Sequence, residues 1–223
     1  MFRECRVAVE IKFCGLTRAE DARQAAALGA AYVGVIFAGG PRMLTVDCAR
    51  AVLADVPIGV QRVGVFADQT AEEIGQAARA LSLSVVQLHA DANPGRMSEL
   101  RAHFAGAIWP VLRVSGGDLP DAAAELARLG DGLLLDAYVP GSLGGTGVSL
   151  PWNELAARVA EVRQNRQIIL AGGLRPENVG SAIASLMPDV VDVSSGVERS
   201  PGIKDHDRMR AFRDAVLNAS VPT

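Results

Sequence analysis

Cys14 lies where an apolar segment of the chain stops and a turn begins. It ends the run at residues 9–13 and precedes Gly15, whose lack of a side chain lets the backbone turn sharply. The thiolate of a cysteine at such a point could take a proton from a carbon atom and so act as a general base. Free cysteine is also one of the residue types most often buried in a core, and the residue type alone favours that alternative.

Asp136 brings a carboxyl group to the end of another apolar run, residues 132–135. Removal from water raises the pKa of a carboxyl group, which would make Asp136 a general acid near neutral pH. A helix cap is the alternative, but the pattern predicts no helix directly after it. Instead the glycine-rich segment 137–147 follows, and we interpret it as a closing lid, with an exposed linker as the alternative.

Two further segments predict a phosphate site. Gly172 and Gly173 follow one apolar run, and Ser194 and Ser195 follow the next. Glycines let an oxyanion approach the backbone N–H groups, and serine hydroxyls add further donors. Either pair alone would be weak evidence, but two such segments after consecutive apolar runs favour phosphate binding.

Arg42 and His89 also follow apolar runs and are candidates for substrate contacts. The planar guanidinium of Arg42 could bind a carboxylate through two hydrogen bonds, and a solvated arginine is the alternative. His89 could polarise a hydroxyl group of a substrate or pack beneath a loop, and the sequence leaves both open. His103 and His206 are expected at helix surfaces.

The elements that position these residues alternate in type along the chain, with a period of roughly 25 residues. Short runs rich in Val, Ile and Leu are predicted strands, at residues 9–14, 32–37, 62–66, 84–89, 108–114, 132–136, 167–171 and 190–194. Segments with helical spacing are predicted helices, at residues 19–28, 46–54, 71–81, 96–104, 119–129, 151–163, 176–186 and 205–217. Thr17 with Glu20 and Thr70 with Glu73 predict capping boxes, and Pro176 suits a first helical position.

Eight such units predict an α/β fold: a single (β/α)8 TIM barrel with a parallel eight-stranded sheet, formed by residues 1–223 as one domain. Strands that are apolar throughout indicate burial on both faces, as in a parallel sheet covered by helices. A doubly wound open sheet is the alternative. In a barrel, the catalytic groups lie at the carboxyl ends of the strands, and the loops after the seventh and eighth strands often bind phosphate. The candidate residues fall at these ends.

Composition and charge argue against several classes of protein. With 49% hydrophobic and 21% charged residues, the 223-residue chain has the composition of a globular protein. A formal net charge of −3 argues against a nucleic acid or an anionic membrane as partner. No segment has the pattern of a membrane span or of a secretory signal. Cys5, Cys14 and Cys48 cannot all pair with one another and lack zinc-site spacing, so we expect reduced thiols, a cytoplasmic location and no metal.

The order and spacing of motifs along nearly the whole chain resemble the phosphoribosylanthranilate isomerase family of tryptophan biosynthesis. The motifs lie at residues 11–17, 63–66, 86–89, 134–137, 144–147, 170–178 and 192–198. The resemblance implies an Amadori rearrangement of N-(5-phosphoribosyl)anthranilate to 1-(2-carboxyphenylamino)-1-deoxy-D-ribulose 5-phosphate. It implies a small phosphorylated substrate and no cofactor or metal, and it leaves a monomer and a homodimer open.

The resemblance also implies a role for each candidate residue. Asp136 would protonate the ribose ring oxygen and open the ring, and Cys14 would take the C2 proton of the resulting Schiff base. Arg42 would bind the anthranilate carboxylate. The matching motifs imply a substrate-binding set of Arg42, His89, Gly172, Gly173, Asp192, Ser194 and Ser195. Within this set, the resemblance implies that Gly173, Ser194 and Ser195 hold the phosphate.

Several positions depart from the family pattern, and two other functions compete with it. Phe13 replaces a more frequent isoleucine or valine, Ala90 replaces a frequent glycine, and Gly39 and Gly40 replace a pair such as Lys-Ser. These changes bear on the loop after the second strand and on substrate affinity. The rival among enzymes is a sister sugar-phosphate barrel, such as a histidine-pathway isomerase, or a bifunctional enzyme of both pathways. The histidine-pathway isomerase uses paired aspartates, whereas the first strand here ends in cysteine. The rival from another class is a catalytically silent phosphate-binding barrel, and the presence of both candidate catalytic residues argues against it.

Overall fold

The strands of the protein close into a barrel. A computed structural model describes residues 8–90, 92–137, 152–163 and 166–220. The barrel strands are β1 (Glu10–Phe13), β2 (Tyr32–Ile36), β3 (Gln61–Phe66), β4 (Val85–Leu88), β5 (Ala107–Val114), β6 (Gly132–Ala137), β7 (Gln167–Leu170) and β8 (Val190–Val193). Each pairs in parallel with the next, and β1 also pairs with β8, so the sheet has no free edge. The predicted (β/α)8 TIM barrel is therefore confirmed, and the open sheet is wrong.

Helices alternate with these strands along the chain. In the described ranges they are α1 (Ala19–Ala27), α2 (Val46–Leu53), α3 (Ala71–Leu81), α4 (Pro94–Arg101), α5 (Ala123–Leu129), α6 (Trp152–Arg163), α7 (Val179–Leu186) and α8 (His206–Ser220). Each predicted helix is present, although α4 begins and ends earlier than expected and α5 begins later. After β8 the chain adds a 3-10 turn (Ser195–Val197) and a hairpin of β9 (Glu198–Ser200) and β10 (Ile203–Lys204), which the sequence did not predict.

Side chains fill the barrel from alternate positions along each strand. Val63, Trp109, Leu134 and Ile169 share one buried cluster inside the barrel, whereas neighbours such as Leu135 belong to the larger cluster between the sheet and the helices. Successive side chains of a strand point to opposite faces, so the residue two positions beyond an inward one also points inward. This alternation brings polar side chains to the rim at the carboxyl ends of the strands.

The predicted capping box of α3 is confirmed. The Thr70 hydroxyl accepts a hydrogen bond from the backbone N–H of Glu73, and the Glu73 carboxylate accepts one from the backbone N–H of Thr70. Two N–H groups at the start of the helix, which lack partners within it, are satisfied in this way. The start of α3 is therefore fixed by local sequence alone.

Thr17 and Pro176 do not start helices as predicted. The Thr17 hydroxyl donates to the carbonyl of Gly202 in the hairpin, and no side chain caps α1. α7 begins at Val179 rather than at Pro176, because the Asn178 side chain accepts a backbone N–H from three residues earlier and closes a turn. A distant contact in one case and a local turn in the other override the helix signal.

Asp21 of α1 is a fully buried carboxylate that ties α8 and the hairpin to the start of the chain. It accepts two hydrogen bonds from Arg18, at 2.9 and 2.8 Å, and one from the backbone N–H of Lys204 at 3.2 Å. His206 Nε2 lies 2.8 Å from it, so this histidine is not simply a surface residue. Burial raises the pKa of the carboxyl group, but these hydrogen bonds bring it below its ordinary value of 3.8.

We expect Asp21→Asn to lower the free energy of unfolding by roughly 1–3 kcal/mol at neutral pH, because the ionised carboxylate accepts charged hydrogen bonds. The folded pKa is depressed, so this stabilisation is complete above the unfolded pKa and is lost as the pH falls through the folded pKa. The difference between variant and wild type should therefore vanish in acid. Urea unfolding at a series of pH values measures both effects.

The matched control is Asp55→Asn, which removes the exposed partner of Arg23 and should change stability little. A loss for Asp21→Asn that equals the control, or that persists unchanged in acid, would contradict the assigned role.

Candidate active site

The carboxyl end of the barrel gathers candidate residues from three strands. Leu134 lies inside the barrel, so Asp136, two positions further along β6, also points inward. His89 follows β4, and its Nε2 lies 3.9 Å from Oδ2 of Asp136. Cys14 follows β1, and its backbone N–H donates to the carbonyl of Val193 at 2.9 Å. The thiol, the carboxyl group and the imidazole therefore occupy the same end of the barrel.

Two glycines make room for the Cys14 side chain, which is only 5% exposed. A Cβ atom at Gly34 of β2 would lie 2.9 Å from the Cys14 sulfur, so a larger residue there would displace the thiol. Gly15 has a φ of +67°, in the left-handed region. A Cβ atom on it would lie 2.7 Å from Cδ of Arg42 and 2.8 Å from the Ser194 hydroxyl. Arg42 and Ser194 thus border the turn that carries the thiol.

A buried polar network lies directly below the thiol, on the same face of β1. Lys12 is fully buried, and its Nζ donates to Asp192 Oδ2 at 2.7 Å and to Gln87 Oε1 at 2.9 Å. The other Asp192 oxygen, Oδ1, is buried without a hydrogen-bond partner in the described residues. Sequence reasoning placed Asp192 at the substrate and missed Lys12. A charged residue at an inward position, two before Cys14 in an apolar strand, was the available signal.

Burial and neighbouring charges set the ionisation of the site. Burial raises the pKa of the Cys14 thiol, and the Lys12 ammonium only partly offsets this. Burial lowers the pKa of Lys12, but Asp192 and Cys14 together bring it above its ordinary value. Burial, followed by the cations Arg113 and Lys12, lowers the pKa of His89 to about 4. His89 is therefore neutral near neutral pH and does not form an ion pair with the carboxylate beside it.

Arg42, predicted to bind a substrate carboxylate, is held by a carboxylate of the protein. Its Nε and Nη2 donate to the two oxygens of Glu198 at 2.8 and 2.6 Å. The fully buried Lys204 also donates to Glu198, at 2.8 Å, and to the carbonyl of Ser194, at 3.1 Å. Sequence reasoning missed Glu198 and Lys204, because Glu198 lies 156 residues from Arg42 in the chain. The guanidinium is thus oriented, and its Nη1 is not used by Glu198.

The two predicted phosphate loops lie against each other. Gly172 and Gly173 have φ values of +86° and +66°, which glycine adopts without steric cost. Gly196 packs so closely on the backbone of this loop that a side chain there would clash with it. Ser194 and Ser195 directly precede Gly196, so the serines after β8 lie beside the glycines after β7.

A cavity of about 320 Å³ lies at the other end of the barrel, where its lining includes Glu10, Tyr32, Trp109 and Gln167. These residues lie in the first halves of their strands. Enzymes of this fold carry their active sites at the opposite, carboxyl end. The cavity therefore does not belong to the candidate site.

The predicted lid, residues 137–147, lies outside the described residues beyond Ala137, which ends β6. Within the described ranges, no group of three or more His, Cys, Asp or Glu side chains is arranged to hold a metal ion. None of the helices found there combines the length and apolar character that crossing a membrane requires.

Comparison with known proteins gives one consistent family. A family model described as N-(5'phosphoribosyl)anthranilate (PRA) isomerase matches residues 11–215. The chain is 41% identical to the N-(5'-phosphoribosyl)anthranilate isomerase of Pseudomonas fluorescens SBW25 over 214 residues, which is 96% of this chain and 98% of the relative. The similarity thus extends from β1 into α8.

Solved structures give the same result. A phosphoribosyl anthranilate isomerase in complex with reduced 1-(o-carboxyphenylamino)-1-deoxyribulose 5-phosphate superimposes with a TM-score of 0.81 and 32% identity, covering 93% of this chain and 98% of that one. Monomers generated from the dimeric enzyme of Thermotoga maritima superimpose with a TM-score of 0.80, 32% identity and the same coverage.

Proposed function

Because the chain belongs to the N-(5'-phosphoribosyl)anthranilate isomerase family, we propose that Cys14 and Asp136 carry out its reaction as general base and general acid. The function of the chain is the isomerase step of tryptophan biosynthesis, an aldose–ketose isomerisation of a phosphorylated substrate. The observation that supports the proposal most directly is that β1 and β6 present the thiol and the carboxyl group at the rim that also carries the two glycine and serine loops.

The reaction needs one proton delivered and one removed. Asp136 donates its proton to the ribose ring oxygen, so the C1–O bond breaks and a Schiff base forms between C1 and the anthranilate nitrogen. Cys14 acts as base in its deprotonated form, which is the minor one near neutral pH because burial raises the pKa of the thiol. This thiolate takes the proton from C2, and the electron pair of that C–H bond forms an enol. Tautomerisation of the enol gives the ketone. The substrate gains and loses one proton, so no oxidant or reductant is consumed.

The other residues of the site bind the substrate at its two ends. The glycines and serines after β7 and β8 bind the phosphate through backbone N–H groups and hydroxyls. Arg42, oriented by Glu198, binds the anthranilate carboxylate with the donors that Glu198 leaves unused. Asp192 Oδ1 and His89 Nδ1 are buried without partners in the described residues, and we assign them to the hydroxyl groups of the sugar.

Arg42→Ala should raise KM by roughly 10- to 100-fold and change kcat little, because a hydrogen bond to a charged group contributes about 1.5–3 kcal/mol to binding. Steady-state kinetics separates the two constants. The matched control is Arg23→Ala, which removes an exposed arginine of α1 and should leave both unchanged. An unchanged KM for Arg42→Ala would remove this residue from the site.

His89 should act as a neutral hydrogen-bonding group. Its imidazole resonances, assigned by their loss in His89→Asn, should titrate near the pKa of about 4 that burial imposes. The pH profile of kcat/KM should therefore have the same shape in wild type and His89→Asn around neutral pH. An inflection near 6.5 that disappears in the variant would show that His89 works as a titrating group.

The proposed activity is tested with phosphoribosylanthranilate made in situ, whose loss is followed by its fluorescence. The wild-type protein should consume it, and Cys14→Ala should consume it far more slowly. Absence of turnover by the folded wild-type protein would overturn the proposal.

We also propose that the whole chain forms one domain, works in the cytoplasm, and binds neither nucleic acid nor membrane. The similar structures include a dimeric enzyme and monomers made from it. We propose that this chain is either a monomer or a homodimer, and sedimentation analysis decides between them.

A further inference from the structure

Lys12 is an ammonium group enclosed in the middle of the barrel, and the proposed reaction gives it no role. It is fully buried and carries its charge where solvent cannot reach it. Such a group is costly unless it is paired and hydrogen-bonded. Asp192 and Gln87 satisfy two of its three donors, at 2.7 and 2.9 Å.

The side chain of Cys14 is a close neighbour of Lys12. The two residues are separated by one position on β1, so both side chains point into the barrel. Both side chains lie against Gly34 of β2. A Cβ atom on this glycine would lie 2.9 Å from the Cys14 sulfur and 3.3 Å from Cε of Lys12. The charges of the two groups act on each other: Lys12 lowers the pKa of the thiol against the burial that raises it, and Cys14 helps to raise the pKa of Lys12. Three protein groups thus surround the ammonium, and one of them is the proposed base.

We propose that Lys12 is a positioning residue for the proton transfer: its ammonium, fixed by Asp192 and Gln87, stabilises the negative charge on the Cys14 sulfur and holds it toward the substrate. The proposal deepens the proposed function and rests on it. When the thiolate takes the C2 proton it becomes a neutral thiol, and the electron pair stays with the substrate as the enol. Lys12 keeps its proton throughout and does not touch the reacting carbon.

Other charges near the sulfur act from neighbouring elements but are less direct. Asp192 of β8 opposes ionisation of the thiol, whereas Lys204 of β10 and Arg42 of the loop after β2 favour it. Among the described cations, Lys12 lowers the pKa of the thiol most. Removal of Lys12 should therefore have the largest effect.

The test is a titration of Cys14 by the ultraviolet absorbance of its thiolate, in a protein with Cys5→Ser and Cys48→Ser so that one thiol remains. Lys12→Gln should move the midpoint up by at least about one pH unit, as expected for loss of an adjacent opposite charge. Asp192→Asn should move it down, because a negative charge is removed while the ammonium stays. If Lys12 and Asp192 only supported the fold, the two substitutions would not shift the Cys14 midpoint in opposite directions.

Lys204→Gln is the matched control, since it also removes a fully buried lysine. Its midpoint should move less than that of Lys12→Gln, and kcat/KM should fall in Lys12→Gln in a protein with a wild-type circular dichroism spectrum. An unmoved midpoint in Lys12→Gln, or an equal shift in the control, overturns the proposal.

A second measurement covers the case in which Lys12→Gln does not fold. In the wild-type protein, the ¹³Cε resonance of Lys12 should shift as Cys14 ionises, and this step should be absent in Cys14→Ala. A resonance that does not respond in the wild type overturns the contact. These titrations need no substrate, so their outcome does not depend on the proposed function. Wild-type turnover in Cys14→Ala would instead refute the role of Cys14 as general base, whatever the titrations show.

Discussion

Cys14→Ala is expected to lower kcat by at least about a hundredfold, the usual contribution of a general base. The variant removes one sulfur atom from the rim of the barrel and no group that binds phosphate or carboxylate. KM should therefore change little, and kcat and kcat/KM should fall together, as they do when an interaction made in the transition state is lost. Steady-state kinetics on the purified variant measures both.

Two controls separate this effect from damage to the fold. Cys48→Ala removes a cysteine that is exposed on α2 and should have wild-type kinetics. Thermal unfolding of Cys14→Ala should show a single cooperative transition close to that of the wild type. Turnover near the wild-type rate in folded Cys14→Ala would refute the role of the thiol.

Asp136→Ala is expected to lower kcat by a similar factor, about a hundredfold or more, because the ring oxygen would leave without a proton donor. Asp136→Asn should be as slow, although it keeps the size and a hydrogen-bond donor, since an amide does not transfer a proton as a carboxylic acid does. Kinetics of both variants therefore distinguishes proton donation from simple contact.

The matched control for Asp136 lies at the opposite end of the same strand. Asp131 directly precedes β6 and accepts the backbone N–H of Ile108 at 2.8 Å, far from the rim that carries Cys14. Asp131→Asn should keep the wild-type kcat. Equal losses in the two asparagine variants would show that the carboxylates act through the fold rather than through catalysis.

The barrel was predictable because its signals are local. Each strand is a short apolar run between helical segments, and the rim positions follow from where the runs stop, as at Cys14 and Asp136. Helix ends were less predictable where a distant group intervenes. Thr17 has the sequence of a capping residue, but its hydroxyl is taken by Gly202, which is 185 residues away.

The charge pairs of the site could not be predicted from local patterns. Lys12 meets Asp192 across 180 residues, and Arg42 meets Glu198 across 156. The first pair exists because closure of the sheet makes β1 and β8 neighbours, and the second because the loop after β2 meets the hairpin after β8. Hydrophobic periodicity predicts a closed barrel but does not reveal which side chains pair within it. The substrate contacts predicted from the sequence stay a prediction, and Lys12, Glu198 and Lys204 were not among them.

The pairing of β1 with β8 also determines when activity can first arise during synthesis. The Cys14 N–H donates to Val193, and Lys12 has Asp192 as its counter-ion, so β1 obtains its second neighbouring strand and this counter-ion only from β8. In a nascent chain on the ribosome that still lacks β8, Cys14 would be present, but the Lys12 ammonium beside it would lack the Asp192 carboxylate. We therefore expect activity only after β8 has left the exit tunnel.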